Sequence, residues 1–171
     1  RLARDAGCMI VEDDYDSEFR YGSRPIPALQ GMDRAGRVVY LGTFSRGLAP
    51  GIRVAYMVLP KALLERYHSR RTFVSYTVSR HEQEALARLI AGGHYARHLR
   101  RAGNVYQQKC QALLDGLRAI PGARVMGEQA GLHFLLELAG RRESDLLAAA
   151  NAAGIPLHGL SRYYRSGPYP E

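Results

Sequence analysis

Three short apolar runs, each followed at once by polar residues, glycine or proline, place the strongest constraint on how this chain can fold. They are Cys8–Val11, Val38–Leu41 and Val54–Leu59. Continuous apolar runs of this length are typical of parallel strands that are buried on both faces, whereas strands with one solvated face alternate apolar and polar residues. We therefore expect an α/β fold in which these three runs are strands.

Helices are expected after the third run. We predict one helix over 61–69 and a second over 82–90, where apolar residues share one face. From Tyr95 to Leu117 apolar residues recur in alternating steps of four and three, which predicts a long helix over 94–118. Pro121 and Gly122 then end this helix, and we place a boundary between two lobes near them.

The segment after this boundary is expected to be of the α+β type. We predict strands over 124–126, 132–138 and 155–158, the second of which alternates apolar and polar residues as a half-buried strand does. A helix is expected over 143–153, with Gly154 at its carboxyl end.

Composition excludes several classes of protein. Hydrophobic residues make up 46% of the chain and charged residues 23%, which indicates a globular protein. No apolar run approaches the roughly 20 residues of a membrane span. Two cysteines give neither a disulfide framework nor zinc-ligand spacing, so we expect reduced thiols and a cytoplasmic protein. Because the chain opens on Arg1 instead of Met, we expect a fragment of a longer protein.

The net charge of +8 is weak support for contact with nucleic acid. Of the 24 basic residues, 22 are arginine, and these are spread along the chain without a dense run. Most of them are expected to lie on a solvated surface. Lysine occurs only at Lys61 and Lys109, so any chemistry that needs a reactive amine has two candidate side chains.

An acidic cluster follows the first apolar run, and its members are Glu12, Asp13, Asp14, Asp16 and Glu18. A calcium loop is disfavoured because Phe19 occupies the sixth position, where such loops need glycine. Two interpretations stay open, a solvated acidic turn and a carboxylate that pairs with a cation in a crevice at the strand end. For Asp13, at the end of the apolar run, pairing with a cation is favoured.

A second polar segment follows the second apolar run. It contains Thr43, Ser45 and Arg46 beside glycines, and Arg53 comes shortly after it. Hydroxyls, backbone N–H groups and guanidinium groups at a strand end are suited to bind phosphate. The segment is not a Walker loop, because no Gly-Lys-Ser/Thr is present.

At these segments the sequence resembles MocR-type regulators. These are bacterial transcription factors of the GntR superfamily, which join an N-terminal winged helix-turn-helix to a domain with the fold of class I aminotransferases. The segments that carry the resemblance are 11–21, 27–29, 40–45, 49–53, 56–60, 82–86, 93–101 and 131–133. The similarity extends over most of the chain, and the first 60 residues are the most diagnostic.

The resemblance implies an α/β fold of the fold-type I aminotransferases, which depend on pyridoxal 5′-phosphate (PLP). It implies three parts: residues 1–93 as the C-terminal part of the large PLP-binding lobe, 94–120 as a connecting helix, and 121–171 as part of an α+β small lobe.

The resemblance also implies roles for individual residues. Asp13 would pair with the pyridine nitrogen of PLP and keep the ring electron-withdrawing, and Tyr15 would bond its phenolic oxygen. Thr43 and Ser45 would lie near the cofactor phosphate, with Arg53 as their cationic partner. Arg162 is the candidate for binding a substrate carboxylate.

One position departs from the family pattern. The family has its Schiff-base lysine directly after Thr-Phe-Ser, and this chain has Arg46 there. A guanidinium group cannot form an imine with the cofactor at neutral pH, so covalent attachment is doubtful. Neither Lys61 nor Lys109 stands at a position that could substitute.

The resemblance implies a domain that senses a small amine or amino acid through PLP and that works as a homodimer. It would act on DNA through an N-terminal winged helix that is absent from this chain. Two alternatives stay open: a true PLP-dependent aminotransferase, and a degenerate PLP fold used only for dimerisation. No metal site is expected, because His94 and His98, although four residues apart on a helix, have no third ligand.

Overall fold

The computed structural model describes residues 2–21, 26–70 and 78–167. The chain divides into two compact units. The first comprises Arg1–Gln111 together with Gly127–His133, and the second comprises Ala112–Met126 together with Phe134–Glu171.

The first unit contains a three-stranded sheet. Its strands are β1 (Ile10–Asp14), β2 (Val38–Thr43) and β3 (Ala55–Val58), in the order β1-β2-β3. β1 runs parallel to β2, and β3 runs antiparallel to β2. The three expected strands are confirmed.

β1 lies further along the chain than the apolar run that predicted it. Cys8 and Met9 precede the strand, and the N–H of Cys8 donates to the carbonyl of Ala3 at the end of the first helix. Pairing instead extends from Ile10 with Val38 to Asp14 with Gly42, so the first acidic residues belong to the strand. The apolar run predicted the strand, but pairing with β2 determined its bounds.

The expected burial of the strands on both faces is wrong for the described residues. Val11 is 63% exposed, and all four residues of β3 are exposed. Among the described residues no strand pairs with the free edge of β1. Continuous apolar sequence indicates which residues can be covered, whereas burial itself depends on the elements that pack against them.

The three helices predicted over 61–69, 82–90 and 94–118 are confirmed, and two short helices, Leu29–Met32 and Phe44–Gly47, lie where no helix was expected. Their bounds are α1 Leu2–Asp5, α2 Leu29–Met32, α3 Phe44–Gly47, α4 Lys61–Arg70, α5 Arg80–Ala91 and α6 His94–Arg118. The long helix α6 has the predicted bounds, and the boundary between the two units falls within it, after Gln111. α5 begins with a capping box, in which Ser79 accepts from the N–H of Glu82 and Glu82 accepts from the N–H of Ser79.

The second unit contains an antiparallel strand pair and a helix. The strands are β4 (Ala123–Met126) and β5 (Leu135–Leu138), and helix α7 spans Glu143–Ala152. Gly154 follows α7 with a φ of +72°, a left-handed conformation that glycine adopts without steric cost.

The strand expected over 155–158 does not form. The N–H of Ile155 donates to the carbonyl of Ala150 and so completes the end of α7. Pro156 has no N–H to donate to a neighbouring strand. The chain continues into a 3-10 turn, Leu160–Tyr163.

Few apolar side chains are buried in the described residues. They are Ala3, Phe19, Val38, Val54, Leu86 and Leu114. Phe19 is 1% exposed, and its ring meets that of Tyr106 edge-on at a centroid distance of 5.0 Å. Within the ranges that the structure describes, no helix combines the length and apolarity that crossing a membrane requires.

Candidate functional site

One edge of the three-stranded sheet brings together most of the residues singled out in the sequence. Because β1 and β2 are parallel, their carboxyl ends meet, and Asp13 pairs with Leu41 while Asp14 pairs with Gly42. β3 is antiparallel and begins at the same edge, where Ala55 pairs with Thr43. Asp13 and Tyr15 therefore share this edge with Thr43, Ser45, Arg46 and Arg53. Ligands of open α/β sheets bind at such edges.

Three carboxylates of the acidic cluster, those of Glu12, Asp14 and Asp16, have hydrogen-bond or ion-pair partners in the described part of the chain. Glu12 accepts from the N–H groups of Leu29 (2.8 Å) and Gln30 (3.0 Å), at the start of α2. Asp16 lies 3.8 Å from Nδ1 of His133.

Asp14 is the most extensively bonded carboxylate of the cluster. It accepts from the N–H of Ser17 at 3.2 Å, from the hydroxyl of Ser17 at 2.7 Å and from the hydroxyl of Tyr40 at 2.8 Å.

Asp13 differs from these neighbours. Within the described part of the chain its carboxylate makes no hydrogen bond or ion pair, and it is exposed. Side chains alternate along a strand, so Asp13 faces away from Glu12 and Asp14. Tyr15, the next exposed residue, is 43% exposed. Among the carboxylates of β1, Asp13 is thus the one that is free within the described residues to pair with a ligand cation.

Thr43 shapes the turn that follows β2. Its hydroxyl accepts from the N–H of Ser45 at 3.1 Å and donates to the carbonyl of Val54 at 3.3 Å. These bonds start α3 and tie it to the segment before β3. In this structure the hydroxyl of Thr43 therefore has a local role, and Ser45 and Arg46 lie on the helix that it starts.

Arg53 has an unusual backbone conformation. Its φ of 51° and ψ of 31° are left-handed, and among the described residues it is the only one other than glycine with positive φ. Left-handed geometry disfavours a side chain with a Cβ, and such residues cluster at ligand-binding sites. The strained residue is therefore the same arginine that the resemblance implies as the partner of the cofactor phosphate.

Aromatic residues support this edge of the sheet, and sequence reasoning assigned them only to strands and helices. The ring of Tyr56 contacts those of Tyr40 and Phe44 at centroid distances of 6.1 and 5.3 Å. Phe44 in turn meets Tyr95 of α6 edge-on at 5.6 Å. A Cβ at Gly42 would clash with the ring of Tyr56, so glycine is required there.

Burial shifts several ionisation equilibria near this edge. The pKa of Tyr40 is raised well above its ordinary value by burial and by its hydrogen bond to Asp14. Burial, with the charge of Glu18 nearby, raises the pKa of Tyr95 to about 12. Burial also raises the pKa of Glu18. The two tyrosines therefore remain protonated, and their hydroxyls remain donors at physiological pH.

The residues at the edge fit the ring and phosphate of PLP but not its covalent attachment. Asp13 offers an unpaired carboxylate, and Ser45, Arg46 and Arg53 offer a hydroxyl and two cations. Neither of the two lysine side chains lies on the elements that carry these residues. Lys61 begins α4, beyond the opposite end of β3, and Lys109 lies on α6.

Arg162 belongs to the second unit. It lies in the 3-10 turn Leu160–Tyr163, where one guanidinium nitrogen is 2.9 Å from Nδ1 of His158. Glu143 holds this turn by accepting from the N–H of Ser161 at 3.1 Å and from its hydroxyl. These hydrogen bonds lower the pKa of Glu143.

His94 and His98 lie on α6. Among the residues that the structure describes, no group of three or more His, Cys, Asp or Glu side chains is placed to hold a metal ion.

Comparison with known proteins identifies similar sequences. The family model "Aminotransferase class I and II" matches residues 1–156. The chain is 40% identical to the HTH-type transcriptional regulator YhdI of Bacillus subtilis over 95% of its own length and 35% of that protein. It is 35% identical to the probable rhizopine catabolism regulatory protein MocR of Rhizobium meliloti, over 93% of this chain and 33% of that one. The chain thus spans about a third of the length of these curated relatives.

Solved structures show the same fold. The multiple substrate aminotransferase of Thermococcus profundus superposes with a TM-score of 0.77 at 27% identity, over 90% of this chain and 39% of that chain. The α/β architecture is therefore that of the PLP-dependent transferases, with the end of the large lobe and part of the small lobe present.

Proposed function

The chain belongs to the aminotransferase class I and II family, and on that premise we propose that it is the PLP-binding, effector-sensing domain of a MocR-type transcriptional regulator. The observation that carries this proposal is the 40% identity to an HTH-type regulator along almost the whole chain. The resemblance to solved aminotransferases is weaker, at 27% identity. The complete protein would sense a small amine or amino acid.

In this proposal the sheet edge holds the cofactor without a covalent bond. Asp13 pairs with the ring nitrogen, Tyr15 donates to the phenolic oxygen, and Ser45 and Arg53 bind the phosphate, while Thr43 lies beside it and starts the helix that carries Ser45. PLP supplies an electron-withdrawing ring and an aldehyde that reacts with amines. Arg46 adds a second cation for the phosphate or for a ligand carboxylate. Arg162 is the candidate for the carboxylate of the effector.

The proposed organisation follows the family. Residues 1–93 form the C-terminal part of the large lobe, 94–120 the connecting helix and 121–171 part of the small lobe. The complete protein would be a cytoplasmic homodimer that binds DNA through an N-terminal winged helix.

Absence of the covalent bond can be tested by borohydride reduction of the complete protein with PLP, followed by mass spectrometry. We expect no stoichiometric pyridoxyl adduct, because no lysine stands at the position of Arg46. A stoichiometric adduct on Lys61 or Lys109 would contradict this part of the proposal.

Regulation can be tested by fluorescence anisotropy with DNA from upstream of the gene that encodes the protein. We expect binding that changes when PLP is added together with a responsive amine from a panel of amines and amino acids. Absence of DNA binding both with and without PLP and an amine would contradict the proposal.

A true aminotransferase is the second candidate, and the similarity to the Thermococcus enzyme favours it. Conversion of an amino acid and a 2-oxo acid, followed by chromatography, separates the two. We expect no turnover, because the family's Schiff-base lysine is absent.

A fold used only for dimerisation would neither bind the cofactor nor respond to amines.

A further inference from the structure

We propose that Tyr40 is a positioning residue of this site, which holds Asp14 and thereby fixes the turn on which Asp13 and Tyr15 are carried. The inference rests on the proposed function, since it concerns the same cofactor edge. Tyr40 itself is not expected to touch the cofactor.

The position of Asp14 in the chain is the first step. Asp14 is the last residue of β1 and lies directly between Asp13 and Tyr15, the two residues proposed to contact the cofactor ring. Fixing its side chain therefore restricts the backbone on both sides. It restricts the direction of the Asp13 carboxylate and that of the Tyr15 ring.

The hydrogen bond from Tyr40 crosses between neighbouring strands. Tyr40 pairs in register with Glu12 on β1, and its hydroxyl reaches Asp14 Oδ2 at 2.8 Å. Paired residues of adjacent strands share a face, so Tyr40 lies on the face of Glu12 and Asp14, opposite Asp13. Tyr40 can thus hold the end of β1 without occupying the face proposed for the ligand.

Ser17 closes the turn from the other side. Its N–H and hydroxyl both donate to the carboxylate of Asp14, at 3.2 and 2.7 Å. Asp14 therefore receives three donors, one from β2 and two from its own turn. Hydrogen bonds to a charged acceptor are stronger than those between neutral groups, which suits a rigid turn.

Tyr40 is itself held by the aromatic residues that support the phosphate side of the site. Its ring contacts Tyr56, which contacts Phe44 on α3. α3 also carries Ser45 and Arg46. Tyr40 thus connects the turn proposed to bind the ring with the helix proposed to bind the phosphate. Binding sites depend on such supporting contacts to hold their geometry.

The test measures the affinity of the complete protein for pyridoxamine 5′-phosphate, a form of the cofactor that needs no lysine, by isothermal titration calorimetry. Tyr40→Phe is expected to weaken binding about tenfold, because small misplacements of site residues are costly. Tyr106→Phe is the matched control, since the hydroxyl of Tyr106 makes no hydrogen bond within the described residues. It is expected to bind as the wild type does.

A combined variant separates positioning from general stability. If Tyr40 acts through Asp13 and Tyr15, Tyr40→Phe has little further effect once Asp13→Asn and Tyr15→Phe together have removed both contacts. Independent, additive losses would overturn the proposal, and so would wild-type affinity of Tyr40→Phe. Ser17→Ala removes a second donor to Asp14 and is expected to weaken binding too, which keeps the test decisive if Tyr40→Phe does not fold.

The same titration separates this inference from the proposed function. If the wild type binds no pyridoxamine 5′-phosphate, the cofactor site and the role of Tyr40 are both overturned. If the wild type binds and only Asp13→Asn weakens binding, the cofactor site stands and the role of Tyr40 is overturned.

Discussion

At the scale of single residues, the backbone of Arg53 is strained, and the fold tolerates this strain at the proposed site. Its left-handed backbone disfavours any residue with a Cβ, yet the chain has arginine there. An arginine kept at such a position is consistent with a guanidinium group that binds phosphate.

Substitution of Arg53 should separate stability from binding. We expect Arg53→Gly to be more stable than Arg53→Ala by about 1 kcal/mol, because glycine adopts positive φ without steric cost. Both variants should lose affinity for pyridoxamine 5′-phosphate. Urea unfolding and calorimetric titration measure the two effects. Equal stability of the variants would show that the backbone at residue 53 is unstrained, and retained affinity would remove Arg53 from the site.

Arg46 is the residue that most alters the expected chemistry. We expect Arg46→Lys in the complete protein to gain the visible absorbance of a protein-bound imine with PLP, because an amine then stands at the family's position. The absorbance should persist when Lys61→Ala is added, since Lys61 lies beyond the far end of β3. Absence of the gain would mean that the site has lost cofactor binding for another reason.

At the scale of elements, carboxylates organise the segments that lead into the sheet. Glu12 holds the start of α2, and Asp33 accepts from the N–H groups of Ala35, Arg37 and Val38, at the entrance to β2. These hydrogen bonds lower the pKa of Asp33 below its ordinary value of 3.8. Asp33 therefore fixes where β2 begins, and with it the register of Asp13.

The lowered pKa of Asp33 predicts a dependence of stability on pH. A depressed pKa in the folded state stabilises the protein above the ordinary pKa, and this stabilisation disappears as acidification protonates the carboxylate. We expect Asp33→Asn to lower the thermal midpoint at neutral pH and to flatten its fall below pH 3.8. Asp5→Asn, at an exposed residue that pairs with its neighbour Arg4 and with no other described residue, is the control. An unchanged pH profile of Asp33→Asn would contradict this role.

At the scale of the whole molecule, apolar side chains exposed in the described residues outnumber those buried. Val11 is 63% exposed and Met57 is 47% exposed, both on the three-stranded sheet. Strand register places both side chains on the same face of the sheet, and apolar surface exposed on such a face is where other protein binds. The homodimer and the rest of the proposed regulator are candidates for that cover.

This exposure predicts how residues 1–171 behave when expressed alone. We expect the isolated chain to bind anilinonaphthalene sulfonate and to increase its fluorescence, because the dye reports accessible apolar surface. Val11→Ser with Met57→Ser should lower the signal. Fluorescence no higher than that of a compact globular control would show that the sheet is covered within the isolated chain.

The sequence alone determined the family, the three strands of the sheet and the longer helices. The three apolar runs predicted β1, β2 and β3, and the steps of four and three predicted α6 with its observed bounds. These properties depend on neighbours in the chain, so they can be read from local patterns. The same patterns predicted a strand over 155–158 that does not form, because a strand also needs a partner to pair with.

Only the tertiary structure decided which acidic residue is free to bind a ligand. In sequence, Asp13 is one of five carboxylates, and its separation from Glu12, Asp14 and Asp16 depends on partners that lie between 3 and 117 positions away. The same holds for Tyr40, whose hydroxyl meets a carboxylate on another strand. Apart from the local bonds of Ser17 to Asp14, these contacts follow from strand register and loop packing, which local spacing does not encode.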